Sequence, residues 1–375
     1  MIGAGMVGAA CALALASAGC GVCVLDRTGP AAGTTASGEG NILVSDKLPG
    51  PEARLALRSI VLWHELAGLA GERFEFESKG GLVVAHDDQQ AAALGELAAA
   101  QRGDGVQAQF LDQRGLRDAE PHISSSLAGG VLYPQDCQVQ PMLAASWLLA
   151  EAARLGARLA CGADVVAAQV SHGRITAVRT TRGRVAAGAV VNAAGPWSGQ
   201  VAGLLGGWLP VRPRRGHVLV TEPLPALIRH KVYESDYVTT VMSDSEDPQC
   251  SAVVEGTQAG TVLIGSSREF VGFDRCPSLR VMGTIAARAG AIFPVLARAR
   301  VLRSYLGFRP ASPDHLPVIG PDTTVGGLYH ASGHEGAGIG LAPATAEIMV
   351  ALLAGQSAPA DPAPFAPARL REVPA

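Results

Sequence analysis

The sequence predicts an α/β protein with a Rossmann-like nucleotide-binding domain and a second α+β domain built on a mainly antiparallel sheet. Two observations predict the first domain: a G-x-G-x-x-G motif at residues 3–8 opens an apolar helical stretch, and the strand-like segment after it ends in Asp26. One observation predicts the second: short strand-like runs separated by Gly, Pro and Asp dominate residues 214–306.

Composition narrows the class of protein. The 375 residues carry 30 Lys plus Arg against 33 Asp plus Glu, and 48% are hydrophobic, which is typical of a globular chain of about two domains. The charges are nearly balanced and the sequence has no basic runs, so a small molecule is favoured over nucleic acid as the partner.

Seven scattered cysteines fit a reducing cytoplasm. The one C-x-x-C pair, Cys20 and Cys23, supplies too few ligands for a metal site.

Residues 1–25 carry no charge, yet they match neither a secretory leader nor a membrane span, because glycines interrupt the stretch and no positive start precedes it. We therefore predict no transmembrane segment.

The glycines have a better explanation as a phosphate-binding fingerprint. Gly3 permits a tight turn, Gly5 lets the backbone approach a pyrophosphate, and Gly8 permits close helix packing. The predicted cofactor contacts of this fingerprint are Gly3, Ala4, Gly5, Met6, Val7, Gly8 and, at the ribose, Asp26.

The first strand of the nucleotide-binding unit is incomplete. Such a fingerprint follows a buried strand of four to six apolar residues, and only Met1 and Ile2 precede Gly3. We therefore expect further residues upstream in the natural protein.

The loop after Asp26 distinguishes between cofactors. A nicotinamide-binding unit continues into another short helix and strand, whereas residues 27–43 read RTGPAAGTTASGEGNIL. With the fingerprint, this loop resembles the FAD-binding region of the glycine oxidase and D-amino acid oxidase family. The resemblance implies FAD as cofactor, with contacts from Arg27, Thr34, Thr35, Ser37, Gly40, Asn41 and Ile42. The alternative for each of these residues is a solvated loop.

Matches to the same family continue along nearly the whole chain. Residues 131–141 (VLYPQDCQVQP) resemble the strand and turn that enter a helix at Pro141, although Cys137 replaces an expected glycine. By resemblance, the strand at 164–166 meets the adenine through Val165. The segment 190–198 (VVNAAGPWS) returns to the cofactor through Ala194, Gly195 and Trp197.

The segment 307–320 (GFRPASPDHLPVIG) is similar to the family segment whose arginine faces the flavin and holds the substrate carboxylate. The resemblance assigns this role to Arg309, beside a cofactor contact at Gly307. A guanidinium suits it because it can form two parallel charge-assisted hydrogen bonds. The alternative is a structural salt bridge to Asp314 or another acid.

A strand, a glycine-rich turn and a helix running to about Ala354 follow from residue 328. In the resembling family this turn meets the isoalloxazine ring, where helix N-terminal amides stabilise negative charge. The implied contacts are Gly333, Glu335, Gly336, Gly338 and Ile339, with His334 as a catalytic candidate. Glu335 has an alternative reading as an acid that favours the helix dipole. Other pocket candidates are His217, Tyr233 and Tyr237, of which Tyr237 is taken as catalytic.

Short motifs at 265–274 and 334–339 look most like the flavin subunits of heteromeric dehydrogenases that act on hydroxyproline or proline, opine oxidase and hydrogen cyanide synthase. This resemblance implies oxidation of the C–N bond of a small amino or imino acid by hydride transfer to flavin N5. It also implies iron–sulfur or other electron-transfer partner subunits, in the cytoplasm or peripherally at the inner membrane. The alternatives are a simple oxidase using oxygen, a nicotinamide-dependent dehydrogenase and a non-catalytic flavin-binding subunit.

The domain boundaries follow from these matches. We expect a discontinuous FAD-binding domain at 1–46, 131–213 and 307–357, and a substrate domain at 47–130 and 214–306. Helices at 52–69 and 89–101, with a strand at 81–85 between them, belong to the second domain, together with strands at 217–221, 238–242, 251–255 and 261–265. The Pro-rich tail at 358–375 is expected to be extended, with Phe365 docking on the surface.

Overall fold

The computed structural model describes residues 1–243 and 245–372. In that part of the chain, the helices are α1 (Met6–Ser17), α2 (Pro51–Ala70), α3 (Asp88–Arg102), α4 (Gln113–Ala119), α5 (Pro141–Arg154), α6 (Ser198–Leu204), α7 (Asp236–Val241), α8 (Leu279–Ile292) and α9 (Gly338–Ala354). The strands are β1 (Cys23–Asp26), β2 (Asn41–Ile42), β3 (Gly81–Ala85), β4 (Gln109–Asp112), β5 (Gly129–Tyr133), β6 (Cys137–Gln138), β7 (Arg158–Cys161), β8 (Val165–Ser171), β9 (Arg174–Thr180), β10 (Gly183–Ala186), β11 (Val190–Asn192), β12 (Arg212–Thr221), β13 (Lys231–Glu234), β14 (Gln249–Gly256), β15 (Val262–Arg268), β16 (Val301–Ala311), β17 (Val318–Pro321) and β18 (Leu328–Ser332).

A largely parallel sheet forms the nucleotide-binding half. β1 pairs in parallel with β7, and β11 pairs in parallel with β18, which is antiparallel to β17. Ile2 forms parallel bridges to Leu25 of β1 and Asn192 of β11, so it joins the two parts into one sheet. The apolar α1 packs against α5 and α9 beside this sheet. This is the arrangement that the fingerprint predicts, and the predicted α/β fold class is confirmed.

The short N-terminal segment occupies the position of the expected first strand. The Met1 amine donates to the carbonyl of Cys23 at 2.9 Å. The Ile2 amide donates to Val191 O at 2.9 Å, and the Gly3 amide donates to Leu25 O at 2.8 Å. Two residues therefore hold β1 and β11 together directly below the fingerprint turn.

The second sheet has eight strands in the order β16-β12-β15-β14-β13-β3-β5-β4. Its pairings are antiparallel except between β13 and β3, as expected for a mainly antiparallel sheet. The predicted helices at 52–69 and 89–101 and the strand at 81–85 are confirmed by α2, α3 and β3. β5 pairs with β3, so the start of the predicted cofactor segment 131–213 lies in the second sheet.

Two elements of this region differ from the sequence prediction. The segment 238–242 was expected as a strand because its Val and Thr residues favour strands, yet residues 236–241 form α7. Tyr237 of this helix is buried against Tyr233 and the Arg268 guanidinium, so tertiary packing overrides local propensity. The helix α8 was missed altogether. Its buried side chains recur at helical spacing and face the sheet: Val281, Ile285, Ala289 and Ile292.

The C-terminal tail is folded and not extended. It contains 3-10 turns at Ala363–Phe365 and Pro367–Glu372. Phe365 is buried at 1% exposure, and Arg369 forms a two-pronged salt bridge with Asp314. The expected docking of Phe365 is thus present, but the proline-rich composition misled the prediction of extended structure.

One helical stretch, Glu335–Ala354, has a mean hydropathy of 1.7 and is long and apolar enough to cross a membrane. Of this stretch, 61% is buried inside the protein, where α9 packs on α1 and α2. Core helices pass the same test of length and composition.

Phe365→Ala tests the docking of the tail. Removing a fully buried ring should lower the free energy of unfolding by about 3 kcal/mol. The measurement is urea denaturation followed by tryptophan fluorescence. The control is Phe110→Ala, because Phe110 is 50% exposed and its loss should cost far less. Equal effects of the two substitutions would contradict a docked tail.

Candidate functional site

An elongated cavity of about 420 Å³ lies between the parallel sheet and the eight-stranded sheet. Most of the residues that the sequence assigned to a cofactor or to catalysis line it: Gly3, Gly5, Met6, Val7, Asp26, Arg27, Thr34, Thr35, Ser37, Asn41, Val165, Ala194, Gly195, Trp197, Gly307, Arg309, Tyr237, His334, Glu335, Gly336, Gly338 and Ile339. Residues as far apart in the sequence as Gly3 and Ile339 thus meet in one cavity.

The glycine fingerprint forms one end of this cavity. Gly3 has a φ of 104°, and a Cβ atom there would lie 2.3 Å from Ala193 O. A Cβ atom at Gly8 would lie 2.1 Å from Gly3 O, so Gly8 permits the close packing of α1. At Gly5 the nearest atom is Thr35 Oγ1 at 3.2 Å, which leaves the cavity side open to a ligand.

Asp26 is held in place by hydrogen bonds from the fingerprint turn and from the turn that comes after it. One carboxylate oxygen accepts from the Ala4 amide at 2.9 Å, and the other accepts from the amide and hydroxyl of Thr28 at 2.7 and 3.0 Å. The carboxylate is therefore oriented at the cavity wall, where it can accept hydrogen bonds from a ribose.

An aromatic stack borders the same end. The Arg27 guanidinium carbon lies 3.9 Å from the centre of the Trp197 ring. Trp197 in turn stacks on Phe273, with ring centroids 5.2 Å apart and planes 4° from parallel. Phe273 comes from the second half of the molecule, and sequence reasoning did not single it out for this role.

Five predicted cofactor residues lie behind the cavity wall: Ala4, Gly8, Gly40, Ile42 and Gly333. The Gly40 amide donates to the Glu255 carboxylate at 3.0 Å, and a Cβ atom at Gly40 would lie 1.8 Å from Val139 O. Ile42 is fully buried. Gly40 and Ile42 therefore position the loop at 27–43, which carries several of the lining residues.

Arg309 lies toward the other end of the cavity. Its side chain extends from β16 across Gly216 of β12, where a Cβ atom would lie 2.2 Å from Nη1, and Nη1 donates to Ser267 O of β15 at 2.7 Å. Burial and the neighbouring charge of Arg268 lower the pKa of Arg309 to about 10, so it is charged at neutral pH. The alternative partner Asp314 binds Arg369 instead.

Glu335 is enclosed by cationic groups. Its carboxylate lies 2.6 Å from Arg214 Nη1, 3.4 Å from Arg268 Nε and 3.5 Å from His315 Nδ1. Burial raises the pKa of Glu335, but the hydrogen bond to His315 and the charges of the arginines outweigh it and lower the pKa to about 2. Glu335 is therefore anionic at neutral pH, and it links the turn before α9 to β12 and β15.

His334 and Tyr237 complete this end. His334 Nε2 lies 2.9 Å from Thr345 Oγ1 of α9, and burial with the charge of Lys47 lowers the pKa of His334 to about 3, so the ring is neutral. The Tyr237 ring lies 4.6 Å from the Arg268 guanidinium carbon. The other pocket candidates do not line the cavity: His217 contacts Ser267 Oγ at 3.1 Å, and the Tyr233 hydroxyl donates to Ser45.

Sequence reasoning missed Glu39, which lines the cavity with only 6% exposure. It lies within the loop at 27–43, but the resemblance implied no role for it. The sequence feature that could have indicated Glu39 is its position as a carboxylate between two glycines, in a segment (residues 28–45) that is otherwise uncharged.

The residues present fit an elongated dinucleotide. Glycines leave the backbone open at one end, α1 presents its N-terminus, and a second helix N-terminus, that of α9, meets the cavity at the other end. In the described part of the chain, no group of three or more His, Cys, Asp or Glu side chains could hold a metal ion.

The chain matches one family model and is similar to several known proteins. Residues 1–352 match the family model DAO, described as FAD dependent oxidoreductase. The chain is 31% identical to hydrogen cyanide synthase subunit HcnC of Pseudomonas aeruginosa over 88% of this chain and 76% of that protein. It is 30% identical to a D-amino acid dehydrogenase of Rhizobium johnstonii over 80% of this chain and 70% of that protein. The crystal structure of glycine oxidase from Geobacillus kaustophilus is similar, with a TM-score of 0.88, 27% identity and coverage of 97% of this chain and 96% of that one.

Gly5→Val tests the fingerprint end of the cavity. The branched side chain would fill the space in which a pyrophosphate approaches the backbone, so the variant should purify without the yellow FAD colour. Flavin absorbance per protein measures this. Gly21→Val is the matched control, since no atom lies within 4 Å of a Cβ at the exposed Gly21. A stoichiometrically yellow Gly5 variant would place the nucleotide elsewhere.

Proposed function

Because the chain belongs to the DAO family of FAD-dependent oxidoreductases, we propose that it oxidises the C–N bond of a small amino or imino acid. The proposal rests on the charge of Arg309 and on the partners of its guanidinium. Its guanidinium is charged and reaches the cavity, and within the described residues it forms no ion pair with a carboxylate; its one protein hydrogen bond is to Ser267 O. A substrate carboxylate would complete its coordination.

The surrounding charges support this role. Glu335 is ion-paired with Arg214 and Arg268, so this buried anion is already engaged with other cations. Arg309 thus contributes a positive charge in a desolvated space, where an anionic ligand is attracted more strongly than in water. A planar guanidinium also fixes the orientation of a carboxylate, which a lysine would not do.

When bound, FAD supplies the two-electron acceptor for a hydride from the carbon that carries nitrogen. The N-terminus of α9 adds positive potential at this end of the cavity. His334 is neutral and bonded to Thr345, and Glu335 is a paired anion, so neither is suited to carrying a proton near neutral pH. The protein therefore contributes mainly position and electrostatics.

The relatives support the substrate class. A D-amino acid dehydrogenase and a glycine oxidase are both named for amino acids. The similarity to a subunit of hydrogen cyanide synthase supports a second element of the proposal, that this chain is the catalytic subunit of a heteromeric dehydrogenase. Its partners would carry the iron–sulfur or other electron-transfer groups, since the described residues offer no cluster site.

The similarity to glycine oxidase favours one alternative, a simple oxidase that passes electrons to oxygen. The compartment is proposed to be the cytoplasm. All seven cysteines, including two that are exposed, are unpaired, which supports a reducing environment.

Arg309→Lys tests the carboxylate site. The variant should retain FAD but lose about 2 to 4 kcal/mol of transition-state binding, because a point charge cannot reproduce two parallel hydrogen bonds. The measurement is kcat/KM for the best amino acid substrate. The control is Arg303→Lys, at an exposed position on the same strand. Unchanged kcat/KM in the Arg309 variant would reject the assignment.

The electron acceptor separates the two enzyme classes. If the chain is a dehydrogenase subunit, the isolated protein should reduce an artificial dye much faster than it consumes oxygen, and native purification should bring further subunits with cysteine-rich motifs. Parallel dye-reduction and oxygen-electrode assays measure the ratio. Oxygen consumption at the rate of dye reduction, with equal hydrogen peroxide, would instead establish an oxidase.

A further inference from the structure

A buried carboxyl group faces the same cavity as Arg309 and has no role in the mechanism described so far. Glu39 is 6% exposed and lines the cavity. Oε1 is fully enclosed over Gly265, so the oxygen that retains accessible surface is Oε2, and neither oxygen has a hydrogen-bond partner in the described residues. A buried carboxyl group without a partner costs free energy, so one that borders a ligand cavity indicates a ligand donor.

The position of Glu39 relative to Arg309 is set by one strand. The Arg309 guanidinium reaches Ser267 O of β15, whereas the Glu39 carboxyl lies over Gly265 of β15, where a Cβ atom would be 2.7 Å from Oε1. The cation and the carboxyl therefore border the same cavity beside the same short stretch of β15.

This arrangement suits an α-amino acid, whose two polar groups are close together. Its carboxylate and nitrogen lie about 3 Å apart, and a hydrogen bond adds about 3 Å at each end, so the two protein groups that hold it should be about 8 Å apart. We propose that Glu39 accepts a hydrogen bond from the substrate nitrogen while Arg309 holds the carboxylate. This rests on the proposed function and extends it to the second end of the substrate.

The loop around Glu39 is fixed independently of any ligand. The Tyr305 hydroxyl donates to Gly38 O at 3.3 Å, and the Gly40 amide donates to the Glu255 carboxylate at 3.0 Å. Glu255 is itself paired with Lys231. The carboxyl group is thus held at the cavity by its neighbours on both sides, as a group that selects a ligand must be.

The electrostatic surroundings are consistent with this role. Burial raises the pKa of Glu39, and the positive charges of Lys231, Arg309 and Arg268 oppose the rise. The carboxyl keeps an acceptor oxygen in either protonation state. The structural alternative is that Glu39 serves only as a counter-charge near Lys231, and this alternative makes no prediction about ligand nitrogen.

Two matched probes separate these readings. 2-Aminoisobutyrate carries both carboxylate and amine but no hydrogen on the central carbon, so it cannot be oxidised. Isobutyrate lacks only the amine. Calorimetric titration of the FAD-loaded protein gives the Kd of each. The wild-type protein should bind 2-aminoisobutyrate at least about tenfold more tightly. Glu39→Met should abolish this preference by weakening the binding of 2-aminoisobutyrate, whereas isobutyrate should bind no more weakly than to the wild-type protein.

Equal binding of both probes by the wild-type protein, or the full preference in Glu39→Met, would overturn the inference. Glu234→Gln is the control, because Glu234 is a buried carboxylate of β13 that does not line the cavity; loss of preference there too would also overturn the inference. If Glu39→Met does not retain FAD, Glu39→Asp decides: its carboxyl is withdrawn by about 1.5 Å, so a reduced preference supports the inference and an unchanged one contradicts it.

The proposed function is judged separately by Arg309→Lys in the same titrations. That variant should weaken both probes by a similar factor, because both carry the carboxylate. Unchanged binding of both would contradict the carboxylate site while leaving the role of Glu39 to be decided by the ratio of the two dissociation constants.

Discussion

The buried anion Glu335 is the interaction on which the geometry of the site depends. It stands in the turn before α9, on the nucleotide-binding half, and pairs with Arg214 of β12 and Arg268 of β15 in the other half. Removing one partner of such a buried pair leaves an uncompensated charge, which costs several kcal/mol. The two sheets are therefore tied together at the end of the cavity where the proposed chemistry takes place.

This pairing determines which arginine is available to a ligand. Three arginines approach the same region, and Glu335 pairs with two of them. Arg309 extends across Gly216, and among the described residues the Ser267 carbonyl is its one hydrogen-bond partner. A side chain at position 216 would close that path. The face formed by β16, β12 and β15 thus presents a cation, and the loop at Glu39 adds an acceptor beside it. Two complementary groups on a rigid sheet can orient a small zwitterion.

The sequence predicted the parts of the fold whose chemistry demands specific residues. The fingerprint glycines, Asp26 and the helix ending near Ala354 follow from backbone geometry and periodicity, and each is present. The features that the sequence could not predict depend on contacts between residues that are far apart in the chain. The residues of α7 favour a strand until Tyr237 packs under Arg268, and the partner of Asp314 is Arg369, 55 residues away. Glu39 gained its significance only when Arg309 was placed on the same sheet face.

The most direct test of the account is anaerobic titration of the FAD-loaded protein with a panel of D-amino acids, sarcosine, glycine, proline and hydroxyprolines. Absorbance near the flavin bands reports transfer of electrons from substrate without any assumption about the acceptor that follows. We predict that at least one member of the panel bleaches the flavin completely at a rate that increases with its concentration. Failure of every member, with full bleaching by dithionite in the same sample, would contradict amino acid oxidation as the function of this protein.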